Sequence, residues 1–228
     1  MTKLMIVLLV AGCASVADAE PFWIAWEGDT YPEEDGWERY TRAGGAERSL
    51  EDGKLMLDGM ASTEIVDIYY IQTVVVPDPG EQFLLDWRLR VDEVEGFADP
   101  LVAVRVDDLG AVFLRYSEDA IYSLFEDVWI DFTPGVFHEY SFTSVDMATY
   151  ELHVDGQLAH TGYFVGPWGS SGVTWGDATE GASSVSTWDY VRFGVVPEPS
   201  AGLMLPGLAL ITLSTAAMRR IRNEKATL

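Results

Sequence analysis

The sequence predicts an all-β fold, an antiparallel β-sandwich over residues 20–195, and three observations predict it. Between Phe22 and Val195, short runs alternate apolar and polar residues, the period of two that suits a strand with one wet face. Gly, Pro and Asp punctuate those runs, supplying the backbone that tight turns need. Outside the two ends, no stretch of helical length repeats its apolar residues every 3.6 positions. Without crossover helices a parallel sheet cannot be wound, so the strands must pair antiparallel.

The first element is residues 1–19. Lys3, an apolar run from Leu4 and the small-x-small site Ala17-Asp18-Ala19 have the layout of a helical secretory signal peptide, cleaved before Glu20. The run is too short for a good membrane span. A second processing route stays open, because Val10-Ala11-Gly12-Cys13 resembles the lipobox of bacterial lipoproteins, in which the cysteine is lipidated. Both routes export the protein.

The strands follow. Candidates are KLMLD (54–58), IVDIYYIQTVVV (65–76), QFLLDWRLRV (82–91), LVAVRVD (101–107) and AVFLRYS (111–117). AIYSLF (120–125), VWIDF (128–132), FHEYSFTSV (137–145), TYELHVD (149–155) and WDYVRFGVV (188–196) continue the series. In TYELHVD, Tyr150, Leu152 and Val154 share one face and Glu151, His153 and Asp155 the other. Asp155-Gly156 then predicts a two-residue type I′ hairpin turn. Asp108 to Gly110 and Pro77-Asp78-Pro79-Gly80 are further turns.

FHEYSFTSVDMATYELHVDGQLA resembles the hairpin of laminin-G-like and concanavalin-A-like domains. WDYVRF resembles their closing strand, and GWERYTRAGGAERSLEDGKLMLDG their opening strands. The resemblance implies that the sandwich is a jelly roll. Phe137 stands where the family usually has Trp, so the hairpin pattern carries over without a binding site.

Composition limits what this body does. With 48% apolar residues and 8 Trp among 228, there is material for a core. A net charge of −23 repels nucleic acid, whose binding rests on Lys and Arg neutralising phosphates, so no nucleic-acid partner is expected. That acidity suits solubility in an extracellular or salty medium. Acidic turns such as Glu33-Glu34-Asp35-Gly36 could hold Ca2+, but no EF-hand spacing is present and no cofactor or metal site is assigned. Cys13 is the only cysteine and Asn223 the only asparagine, which excludes internal disulfides and cysteine-based zinc sites from the body.

No catalytic residues emerge. Retaining glucanases of this fold class carry an E-x-D-x-x-E strand, with two carboxylates about 5–5.5 Å apart. Glu64-Ile65-Val66-Asp67 and the run Glu126 to Asp131 both lack that spacing. Asp127 and Asp131 share a face and read as solvated carboxylates. His138 is expected to pack beside its strand, and His153 and His160 to face each other across the hairpin as surface histidines. Binding is the more plausible activity. Trp168 and Trp175, in the Gly/Ser-rich segment GPWGSSGVTWGDATEGASSVSTW, are candidate glycan contacts, since aromatic faces on loops can stack on sugars. The competing reading buries Trp175 and Trp188 in the core and makes Trp168 a loop plug.

The tail, residues 196–228, is unlike the body. Residues 201–217 carry no charge and would span roughly 26 Å as a transmembrane helix. Arg219, Arg220, Arg222 and Lys225 follow in the basic segment 218–228 and place it on the cytoplasmic side. Pro197-Glu198-Pro199, apolar helix and arginine cluster, in that order, resemble the PEP-CTERM sorting signal. The resemblance implies recognition by an exosortase, cleavage near 197–199 and release of the body to the cell envelope or exopolysaccharide matrix. The logic is that of GPI signals, whose hydrophobic tail anchors the precursor and is then removed. The sequence thus predicts an exported surface or matrix protein with a non-catalytic, carbohydrate- or matrix-binding body. A structural protein without a discrete ligand and, last, a glycan-active enzyme are the alternatives.

Overall fold

Short alternating runs can bury one face only by pairing into sheets, and among the described residues they do so in fifteen strands. The computed structural model describes residues 22–42, 47–60, 67–74, 76–96, 99–177 and 183–197. The expected signal helix and transmembrane helix both lie outside these residues. The strands are β1 (Phe22–Trp26), β2 (Glu38–Arg42), β3 (Glu47–Glu51), β4 (Lys54–Asp58) and β5 (Asp67–Gln72), then β6 (Glu81–Glu95), β7 (Leu101–Val106), β8 (Gly110–Tyr116), β9 (Ala120–Ser123) and β10 (Val128–Asp131). After them come β11 (His138–Ser144), β12 (Thr149–Val154), β13 (Gln157–Tyr163), β14 (Gly172–Asp177) and β15 (Ser183–Pro197).

All pairings are antiparallel, and they make two sheets. The eight-stranded sheet runs β13-β12-β11-β6-β15-β4-β3, with β1 also on β15. The seven-stranded sheet runs β10-β9-β8-β7-β14-β5-β2. The two pack face to face as a sandwich of jelly-roll type. In β6, Phe83, Leu85, Trp87, Leu89 and Val91 point inward and are buried. In β15 the inward set shifts from Trp188 to Val191 and Phe193, because a bulge at Asp189 resets the alternation.

Aromatic rings join the sheets. Trp175 of β14 stacks on Trp26 of β1 at 5.2 Å between centroids and meets Trp188 of β15 at 4.8 Å. Trp87 donates its indole N–H to the Tyr116 hydroxyl across the core at 2.9 Å. The predicted turn at Asp155-Gly156 has φ of 50° and 74°, the two left-handed residues that a type I′ hairpin demands.

One expectation fails at an element. The Gly/Ser-rich segment contains a central strand: β14 is buried along its whole length between β7 and β5. Gly172 and Gly176 are outward strand positions there, alternating with inward Val173 and Trp175.

Candidate functional site: an aromatic groove on the seven-stranded sheet

The strand register lays out the outer face of the seven-stranded sheet. One row across it reads Tyr40, Tyr69, Gly176, Leu101, Arg115, Tyr122 and Trp129, each paired with its neighbours. The next row includes Glu38, Ile71, Thr174, Ala103 and Phe113, and the one beyond it Gly172, Arg105 and Ala111. These are the positions opposite in parity to the buried Val102, Val104, Val112, Leu114, Val173 and Trp175.

Large rings at both ends, with small residues of β14 and β7 among those between them, make a groove. At one end Tyr40 stacks on Tyr69 at 4.8 Å, with Tyr40 48% exposed. At the other, Tyr122 packs on Trp129 at 4.6 Å, with Trp129 47% exposed. Between them β14 offers Gly172, Thr174 and Gly176, and β7 offers Ala103. A cavity of about 190 Å³ sits on this floor, lined by Tyr69, Ile71, Leu101, Ala103, Arg105, Phe113 and Thr174. A Cβ on Gly176 would lie 2.6 Å from the Ile68 carbonyl oxygen, and its φ of 123° disfavours any side chain.

Two loops add a wall beside β8. Trp168 packs on Phe113 at 5.0 Å, and Phe125 meets both rings, at 5.4 Å from Phe113 and 5.8 Å from Trp168. Glu126 holds the turn that carries Phe125. Its carboxylate accepts from Ser123 Oγ at 2.7 Å, Tyr150 Oη, His160 Nε2 at 3.2 Å and the Tyr163 backbone N–H at 3.1 Å. Burial raises the Glu126 pKa, but these donors outweigh it and hold the group below the ordinary carboxylate value.

Two arginines lie on this face, and Arg105 lines the cavity. Arg105 donates to Thr174 Oγ1 at 3.0 Å, and burial pulls its pKa down without a carboxylate to oppose it. Arg115 lies between Leu101 and Tyr122 in the first row. The Nε atoms of both are buried without a hydrogen-bond partner.

The predicted glycan contacts separate. Trp168 is 39% exposed and forms part of the groove wall. Trp175 is 0% exposed, in the tryptophan core, so it cannot touch a ligand; its strand turns it inward. Trp188 is likewise core. His153 and His160 do not face each other. A bulge between Leu152 and His153 pairs His160 with Leu152, turning His160 toward Tyr150 and leaving His153 beside Ser141 on the other face. His138 is buried, bonding Asp155 Oδ2 at 2.7 Å and the Thr133 carbonyl at 2.9 Å. Glu33 bonds Arg48 at 2.7 Å, and Asp35 accepts from Thr30 at 2.6 Å. Among the described residues no group of three or more His, Cys, Asp or Glu is placed to hold a metal ion. Pro197 ends β15, opposite Glu81. Ala17, Ala19, Glu198, Pro199, Arg219, Arg220 and Arg222 lie outside the described residues.

Tyr40, Tyr69, Phe113, Tyr122, Trp129, Arg105 and Arg115 belong to no local sequence motif. The available signal was parity: in LVAVRVD and AVFLRYS the arginines fall on the same alternate positions as Ala103 and Phe113.

No protein-family model matches this chain, and no curated protein matches it. Among solved structures it is similar to a carbohydrate esterase of the Shiga toxin-encoding bacteriophage phi24B. The TM-score is 0.55 at 11% identity, over 77% of this chain and 98% of that one. It is also similar to an endo-1,3-β-glucanase of Streptomyces sioyaensis, with TM-score 0.47 and 15% identity over 77% of this chain and 89% of that one. A β-glucanase of Bacillus licheniformis gives 0.44 and 14%, over 76% and 97%. At 11% identity the first likeness is one of fold alone, and the other two are weaker still.

Proposed function

We propose that this protein is an exported binding protein whose sandwich holds a polysaccharide across the outer face of the seven-stranded sheet and does not cleave it. The observation that carries this reading is the pair of exposed aromatic stacks flanking a floor of Gly, Ala and Thr. Aromatic faces pack on the C–H faces of sugars, and a flat floor between them admits an extended chain. Seven strands at roughly 4.8 Å give a path of about 29 Å. The residues lining the central cavity include no Asp or Glu, which supports binding there over glycoside hydrolysis by an acid–nucleophile pair.

The tail reading is part of the same proposal: an exosortase recognises Pro197-Glu198-Pro199, the apolar segment and Arg219, Arg220 and Arg222, and delivers the body to the envelope or matrix. Electrophoresis of the full chain, purified in detergent, through native gels containing polysaccharides tests the binding. Retardation by at least one polysaccharide is expected, weakened about tenfold by Tyr69→Ala or Trp129→Ala, since a few aromatic contacts carry most of the energy of such interfaces. Absence of retardation by every polysaccharide would leave a structural surface protein as the reading.

A further inference from the structure

The distribution of positive charge narrows the ligand class. The chain has 14 Lys+Arg against 37 Asp+Glu, so a cation without a carboxylate is an exception to be explained. On the eight-stranded sheet and its edges the cations are paired: Arg88 and Lys54 with Asp189, Arg90 with Asp92, and Arg192 with Glu27. Arg39 and Arg48 share Glu33. Arg105 and Arg115 have no ion pair among the described residues, and both lie on the outer face of the seven-stranded sheet.

Their spacing is set by the strands. Arg105 is opposite Ala111 and Arg115 opposite Leu101, with the Ala103–Phe113 pair between them. Four strand residues separate the two levels, about 13 Å along the strands. Glu38 on β2 and Asp131 on β10 are outward carboxylates of the outermost strands, and Asp127, just before β10, accepts from the hydroxyl of Tyr122, the strand neighbour of Arg115, at 3.2 Å without forming an ion pair with that arginine. At physiological ionic strength charges more than about 8 Å away are largely screened, so the acidity of the whole chain does not decide what this centre attracts.

Given the reading of this groove as a polysaccharide site, we propose that its ligand is an acidic polysaccharide whose sugar units carry carboxylates, held by Arg105 and Arg115. A guanidinium offers a planar fork of donors that matches a carboxylate in two parallel hydrogen bonds. Aromatic stacks at the ends accept sugar faces, and the two arginines select charge between them. The Thr174 hydroxyl steadies Arg105 from the floor by accepting from one terminal nitrogen of the guanidinium.

The test compares ligands first and variants second, using the full chain in detergent. Probes are polygalacturonate, its carboxyl-reduced form, a neutral β-glucan and dextran sulfate, with affinity read from retardation in native gels. Polygalacturonate is expected to bind at least tenfold more tightly than its carboxyl-reduced form. Arg105→Gln and Arg115→Gln should each weaken it about tenfold, a larger loss than either causes for the β-glucan. Arg115→Lys, which keeps the charge and loses the fork, should fall between. If a glutamine variant fails to fold, the reduced and unreduced polymers on the unaltered chain decide the matter. Equal binding of the two polymers, or retention of dextran sulfate alone, overturns the acidic-sugar assignment while the polysaccharide groove stands. No binding of any probe overturns both.

Discussion

Trp168 and Trp175 stand seven residues apart in one segment, and the difference in their surroundings fixes what each can do. Trp175 touches Trp26, Trp37, Tyr70 and Trp188, with nothing exposed. Trp175→Ala should therefore cost about 3–5 kcal/mol in denaturant unfolding, the usual range for emptying an aromatic core site. Trp168→Ala should leave the unfolding midpoint nearly unchanged and weaken polysaccharide retention. Glu126 supplies a pH test. Its pKa is depressed in the folded state, so its contribution is present above the ordinary glutamate value of 4.5 and is lost as pH falls through the lower folded value. Unfolding free energy measured from pH 6 to pH 3 should fall less steeply in Glu126→Gln than in the unaltered protein.

At the scale of elements, β14 and the β12–β13 hairpin show two uses of glycine. Gly156 has φ of 74° and open space around it, so Gly156→Ala should cost about 1 kcal/mol from backbone strain. Gly176→Ala should cost more, because its Cβ would meet the Ile68 carbonyl oxygen and the Tyr69 Cα, at 2.6 and 2.9 Å. Equilibrium unfolding of the two variants in urea checks the order. Most strands were legible because alternation is local: KLMLD coincides with β4, and TYELHVD with β12 plus its turn. β14 was not, because its outward residues are Gly, Thr and Gly, which read as a loop until a neighbouring strand supplies the reason for smallness. The bulge beside His153 was hidden for the same reason, since one extra residue leaves no mark in the pattern of the strand that carries it.

At the scale of the molecule, the sandwich was legible and the groove was not. Alternation announces two faces but not which strands become neighbours. Tyr40 and Tyr69 meet only because β2 pairs with β5, and Arg115 and Tyr122 only because β8 pairs with β9. Loop position in the sequence points to Trp168, which joins the groove through Phe113. The sorting proposal also belongs to this scale. Intact mass of the surface form should show a chain ending near Pro199, and recovery of residues 219–228 on it would overturn processing. The most direct measurement of the central proposal is acrylamide quenching of tryptophan fluorescence in the presence and absence of bound polysaccharide. Trp129 and Trp168 are exposed, whereas Trp26, Trp37, Trp87, Trp175 and Trp188 are core. Saturating polysaccharide should reduce quenching, and Trp129→Phe combined with Trp168→Phe should abolish the reduction. Quenching that polysaccharide leaves unchanged, or protection that survives both substitutions, would contradict binding across this face.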